Sequence, residues 1–208
     1  MGLVDQIRAD ILGGRYPPGA LLSQTELAAT HGVSRIPVRD ALQGLASERL
    51  VEVIPGKGAR VIRLTGADLD EIRDLRVMLE CDLLGRAIAR ADAAARADVD
   101  YALRKSSLEA GRPGWRTGDW LFHRTLYLPA GRPRQLAMVE ELRTSCALYA
   151  SGYDDLAAET GRWLADHAAI ARAFIAGNAD EACAVLRRHI LAAHACLQAL
   201  ARPGQPGV

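Results

Sequence analysis

Apolar residues recur every three to four positions along most of the chain, the period of a helix with one buried face. Near the start, Leu3, Val4, Ile7, Ile11 and Leu12 form such a stripe, ended by Gly13-Gly14. Tyr16-Pro17-Pro18-Gly19 predicts a rigid turn, followed by a short extended segment from Ala20 to Leu22. Ser23-Gln24-Thr25-Glu26 has capping-box spacing and opens a short helix through Thr30, and Gly32 makes the next turn. A further helix follows to about Glu48, with Val38, Ala41, Leu42 and Leu45 on its buried stripe. Ser34 is its expected N-cap, and Pro37 falls in its first turn, where a missing N–H costs little. The period then changes. Val51–Ile54 and Ala59–Arg63 read as paired strands around the turn Pro55-Gly56-Lys57-Gly58.

Beyond Thr65-Gly66-Ala67-Asp68, which resembles a second capping box, the pattern is helical throughout. Six helices are expected, at 68–90, 93–109, 113–128, 133–151, 155–176 and 179–201. Gly111-Arg112-Pro113-Gly114 and Pro129-Ala130-Gly131-Arg132-Pro133 break them, and Asn178 with Glu181 caps the last. Leu69, Ile72, Leu75, Leu79 and Leu83 mark the expected core face of the first. Short loops between long amphipathic helices imply an antiparallel bundle. The fold class is therefore mainly α: a winged helix-turn-helix over 1–64, an all-helical bundle over 65–202 and a flexible tail over 203–208.

The two parts carry different chemistry. Arg35, Arg39 and Gln43 lie four residues apart on the polar face of the helix after the Gly32 turn, which suits a recognition helix entering the major groove of duplex DNA. The alternative is an ordinary surface helix with two solvated arginines. Lys57 between two glycines suits close approach of a basic hairpin tip to phosphate or the minor groove. In the bundle, Asp119 and His123 are one helical turn apart, with His167 and His189 on two other helices. One carboxylate and three imidazoles drawn from three helices suit a divalent ion such as zinc, nickel or manganese. The alternative is that each histidine is a satisfied structural residue. His194 points away from His189, and His31 is read as a surface residue of the turn.

Composition alters this picture little. Residues 1–64 hold eight Lys/Arg against six Asp/Glu, whereas the remainder holds eighteen against nineteen, an asymmetry in the direction expected for a DNA-contacting N-terminal part. No apolar run approaches the length of a bilayer span and the N-terminus lacks a signal-peptide core, so no membrane partner and a cytoplasmic location are expected. Cys81, Cys146, Cys183 and Cys196 lack CxxC spacing and read as reduced, mostly buried thiols.

Taken together the chain resembles the GntR family of bacterial transcription regulators, in its FadR-type branch with a C-terminal FCD ligand-binding domain. The resemblance rests on Tyr16-Pro17-Pro18-Gly19, Glu26-Leu27-Ala28, Gly32 through Leu42 and Gly56 through Val61. In the bundle it rests on Asp119-Trp120-Leu121-Phe122-His123, Asp166 through Ile170, and Gly177-Asn178 through His189-Ile190. It implies that Arg35 and Arg39 contact operator DNA, with Lys57 and Gly58 at the wing; Ser34 and Gln43 complete the expected contact set. It maps a metal site onto Asp119, His123, His167 and His189, and an effector-facing arginine onto Arg76, whose spacing to Glu80 equally suits a surface ion pair. The arginine that many members carry at the position of Thr25 is absent, and the usual Ala-Gly-Asn reads Ala130-Gly131-Arg132. The implied function is a homodimeric regulator, of repressor type, whose hold on a pseudo-palindromic operator is controlled by a small carboxylate bound at the metal. The competing readings are a metal-dependent hydrolase, for which no nucleophile or spare base other than Asp166 stands near the ligands, and a regulator whose metal is purely structural.

Overall fold

The computed structural model describes residues 2–112, 115–148 and 159–200. Helix α1 (Leu3–Leu12) buries Ile7 and Ile11. Strand β1 (Leu21–Ser23) leads into α2 (Gln24–His31), whose first turn is capped by Ser23 Oγ accepting from the Glu26 N–H at 3.4 Å. Gly32 closes α2 with φ +65°, a conformation that favours glycine. Helix α3 (Arg35–Ser47) buries the predicted stripe of Val38, Ala41, Leu42 and Leu45.

Ser34 occupies the N-cap position of α3, but its side chain makes no capping bond, which corrects the sequence expectation. The reason is local. The acceptor of an N-cap reaches the second or third helical N–H, and the third residue here is Pro37, which has none.

Strands β2 (Val51–Ile54) and β3 (Gly58–Val61) form the hairpin, and β1 adds to β3, giving the antiparallel order β1-β3-β2. Register pairs Leu21 with Arg60, Ser23 with Gly58 and Val53 with Ala59. Strand β3 ends at Val61, two residues earlier than predicted. Gly58 is buried with φ +125°, and a Cβ there would lie 2.0 Å from the Leu22 carbonyl oxygen. Gly58→Ala is therefore expected to destabilise by more than about 2 kcal/mol, through forbidden backbone geometry and overpacking together. Urea unfolding checks this; a midpoint unchanged from wild type would contradict the close approach of β3 to β1.

The helical part comprises α4 (Gly66–Arg90), α5 (Ala93–Glu109), α6 (Trp115–Tyr127), a 3-10 turn (Leu128–Ala130), α7 (Pro133–Ala147), α8 (Thr160–Ala176) and α9 (Ala179–Leu200). The Thr65–Asp68 capping box forms in both directions, at 3.2 and 2.7 Å. Asn178 Oδ1 accepts from the Glu181 N–H at 3.2 Å as predicted. The predicted ends at 113–114, 149–151, 155–158 and 201, and the tail at 203–208, lie outside the described residues.

On α4 the buried line differs from the predicted one. It runs Leu69, Ile72, Arg76, Val77, Glu80, Leu83, Leu84 and Ala87, while Leu75 and Leu79 flank it half-buried. Two charged residues occupy the centre of the line because a polar site is built inside the bundle.

Two main apolar clusters result. One joins α1–α3 with the sheet; the other fills the bundle around Leu83, Phe122, Leu126, Ile170, Phe174 and Leu186. Leu148, just past α7, is buried in the first cluster, so the end of a bundle helix is anchored in the winged-helix core.

Candidate DNA-reading face and metal centre

The face of α3 opposite its apolar stripe carries the predicted DNA contacts. Ser34, Arg35, Arg39 and Gln43 are all exposed. Among the described residues Arg39 pairs with neighbouring Asp40 at 3.3 Å, both side chains being more than half exposed, so solvent screening leaves that pair weak. Lys57 is exposed at the hairpin tip, while the adjoining Gly58 is buried against β1. His31 is half-buried, with Nδ1 3.1 Å from Gln6 Oε1, and so packs α2 on α1 rather than standing free on the turn.

In the bundle, α6, α8 and α9 bring His123, His167 and His189 together. All three are buried, and one ring nitrogen from each lies within 4.8 Å of the other two. Ring centroids stand 4.9 to 5.5 Å apart. Asp119, one turn before His123, places Oδ1 3.4 Å from His167 Nε2 and 3.8 Å from His123 Nε2. Two ligands each about 2.1 Å from one ion lie roughly 3–3.5 Å apart, so this spacing is close to that of a coordination shell.

The surroundings prepare the imidazoles as ligands. Arg76 Nε donates to Glu80 Oε1 at 2.7 Å, and Tyr127 Oη donates to Glu80 Oε2 at 2.6 Å. The Tyr127 oxygen, its own proton committed, stands 3.3 Å from His123 Nδ1 and accepts from it. That fixes the tautomer and leaves the lone pair on His123 Nε2, which is buried with no hydrogen-bond partner among the described residues. Both ring nitrogens of His167 are likewise without a hydrogen-bond partner among the described residues. Buried polar atoms are seldom left so, and two of them, His123 Nε2 and His167 Nε2, converging on Asp119 Oδ1 fit a cation that would satisfy them. Asp166 lies behind His189, with Oδ2 3.5 Å from its Nδ1 and Oδ1 accepting from Arg188 at 2.9 Å. The His189 ring, followed by the Arg188 bond, holds the Asp166 carboxyl down at about 2. His194 is turned away, pairing with Asp70 at 3.0 Å.

Burial holds His123 well below its ordinary value, and holds His167 down to about 4 despite the opposing charge of Asp119. Both rings are thus neutral in the folded protein at pH 7, as metal ligation requires. In the unfolded chain they take up protons near 6.5, so the unfolded state gains protons first as pH falls. Stability of the metal-free protein is expected to be flat above 6.5 and to decline from there toward pH 4. Equal urea midpoints at pH 7 and pH 5 would contradict the neutral, desolvated state of these rings.

Arg143 of α7 was not apparent as a site residue from the sequence. Its Nη2 donates to Asp119 Oδ2 at 2.5 Å and its Nη1 to Glu80 Oε2 at 3.2 Å, so it bridges the histidine side of the site to the Arg76–Glu80 pair. The signal for it was its place at i+4 from Val139, where the buried line of α7 should carry an apolar residue. Arg76 is buried, which removes the surface ion-pair reading while keeping the i,i+4 partner.

Residues 2–61 match the bacterial regulatory proteins of the gntR family, and residues 71–192 match the FCD domain. The chain is 35% identical over 128 residues to an HTH-type transcriptional regulator in the TAR-I ttuE-ttuC' intergenic region of Agrobacterium vitis, covering 58% of this chain and 74% of that protein. It is 29% identical over 196 residues to the HTH-type transcriptional repressor GlaR of Escherichia coli (strain K12), covering 89% of each. The solved structure of E. coli McbR/YncC superposes with a TM-score of 0.80 at 22% identity, covering 94% of each chain, which speaks to the fold. The matched families and relatives are transcriptional regulators and not enzymes, which sets aside the hydrolase reading. The two matches fall on the helix-turn-helix part and on the histidine-bearing bundle respectively, and the chain belongs to the GntR family, in the group whose C-terminal part is an FCD domain.

Proposed function

We propose that this chain is a cytoplasmic, homodimeric repressor. It grips a pseudo-palindromic operator through Arg35, Arg39, Gln43 and Ser34 of the α3 region and through Lys57 of the wing, with Gly58 seating the base of the wing against β1 rather than touching DNA itself. Residues 1–64 are the DNA-binding unit and 65–202 the receptor. Asp119, His123, His167 and His189 hold a divalent ion (zinc, nickel or manganese), and a small carboxylate bound there sets operator affinity. What carries this reading is the buried cluster of His123, His167 and His189, in which the Nε2 atoms of His123 and His167 lack a hydrogen-bond partner among the described residues and stand around Asp119 Oδ1.

Charge supports a carboxylate as the effector. Around the site two guanidinium groups, Arg76 and Arg143, face two carboxylates, Glu80 and Asp119, and so balance. A bound divalent ion adds two positive charges and coordination positions open to a ligand oxygen, so the occupied site favours an anion. Arg76, named as the effector-facing residue, stands in this network through Glu80.

A route to the DNA-binding part runs along α7. Arg143 reaches the site, Glu141 pairs with Arg49 Nε at 2.7 Å at the end of the recognition helix, and Leu148 is buried in the winged-helix core. Movement of α7 when the Arg143 partners change is thereby felt at α3. Regulation still requires that the effector favour one arrangement over the other, since equal affinity shifts nothing.

Metal analysis tests the proposal. Purified protein, dialysed against metal-free buffer and reloaded, is expected to retain one ion per chain, and nickel is expected to quench tryptophan fluorescence, because the Trp163 ring lies 6.5 Å from that of His189. No retained ion would refute the metal centre. Loss of the folded bundle on stripping would instead favour a structural ion.

A further inference from the structure

Helices α4 and α9 pack closely, and at their contact two thiols face each other outside the site already described. Cys81 Sγ lies 3.8 Å from the Cys183 carbonyl oxygen, and Cys183 Sγ lies 3.4 Å from the Cys81 carbonyl oxygen. This reciprocal reach, each sulfur against the other residue's main chain, sets the two thiols side by side where the helices touch, the juxtaposition from which a disulfide can close. The neighbour permits it: Ala182, next to Cys183, is small and fully buried. Both cysteines are half-buried, hence within reach of a small solute, whereas Cys146 is buried in a different cluster with Leu69, Ile72 and Leu197.

The geometry points to Cys81 and Cys183 as a redox modification site, a thiol pair that hydrogen peroxide closes into an intramolecular disulfide pinning α4 to α9. The two thiols are unequal. Cys183 lies in the first turns of α9, near the positive end of the helix dipole, with Arg187 one turn further on, whereas Cys81 lies in the middle of the long α4. Cys183 is therefore the attacking thiolate. Its sulfur takes one peroxide oxygen, the O–O bond breaks, and the departing hydroxide gains a proton to leave as water, giving a sulfenic acid. The Cys81 sulfur then loses its proton and attacks the Cys183 sulfur; the S–O bond breaks and a second water departs. Peroxide is reduced to two waters as two thiols are oxidised to one disulfide. The cross-link fixes α4, which carries Glu80 next to Cys81, relative to α9, which carries His189, so it constrains two sides of the polar site.

The test treats the reduced, metal-free full chain with hydrogen peroxide, blocks remaining thiols with N-ethylmaleimide, and maps peptides by mass spectrometry without reductant. A peptide pair joining Cys81 to Cys183, lighter by both thiol hydrogens and reversed by dithiothreitol, is expected in wild type and in Cys146→Ser and Cys196→Ser. Cys81→Ser is expected to stop at a Cys183 sulfenic acid that dimedone traps, whereas Cys183→Ser leaves Cys81 unmodified; circular dichroism confirms folding, and Cys→Ala versions replace any variant that fails it. A different pairing, a disulfide between chains, or oxidation of Cys183 onward to sulfinic acid with Cys81 still free in wild type would overturn the proposal.

Discussion

Replacing Arg39 by alanine should weaken operator binding by about tenfold or more, with the fold and metal content unchanged. A bidentate arginine–guanine contact contributes ~1–3 kcal/mol, and each kcal/mol counts twice when a dimer presents two recognition helices. The fold is insulated because Arg39 is exposed and its pair with Asp40 is screened. The loss should fall mainly on the preferred sequence, whereas Lys57→Ala should weaken binding to all duplexes and flatten its salt dependence, as loss of a phosphate contact does. Equal affinity of Arg39→Ala and wild type in an anisotropy titration would remove α3 from the role of reading head.

The second large effect is expected at His167. It is fully buried, its ring stands 5.0 and 4.9 Å from those of His123 and His189, and neither ring nitrogen has a hydrogen-bond partner among the described residues. Loss of a residue that merely supports a ligand costs ~10–100-fold in metal affinity, so His167→Ala should exceed that range and abolish retention of the ion through dialysis. Asp166→Asn, behind His189, should fall within the supporting range. Metal content by elemental analysis, with circular dichroism to confirm folding, checks both. A His167→Ala protein that keeps its ion would place the metal elsewhere or make these rings ordinary packing residues.

Much of this architecture is legible in the sequence because its determinants are local. The α3 stripe, the Gly32 turn, the Thr65–Asp68 and Asn178–Glu181 caps and the switch to period two at Val51 each lie within a few residues of chain. Asp119 and His123 share a helix, so their pairing is legible too; their meeting with His167 and His189 depends on how three helices pack, which spacing alone does not determine. What escaped the reading depends on non-local or competing effects. Ser34 looks like a cap until Pro37 removes the N–H it would serve. Arg76, Glu80 and Arg143 occupy positions where a helical stripe predicts apolar side chains, and together with Asp119 of α6 their charges balance. Arg49 has φ +56° at the end of α3, where glycine is usual, and it carries the side chain that reaches Glu141. Apart from Ser34, these deviations lie on α4, on α7 and at the end of α3, between the polar site and the winged-helix part.

The account stands or falls on whether the two ends of that path are coupled. The direct measurement is operator affinity by fluorescence anisotropy, for metal-stripped and metal-loaded wild type, at one salt concentration and with His167→Ala alongside. Coupling of ordinary strength predicts dissociation constants for the two wild-type forms that differ by about fivefold or more, and a variant that no longer responds to metal. Superimposable isotherms for stripped and loaded protein, with the ion demonstrably bound in the latter, would contradict it.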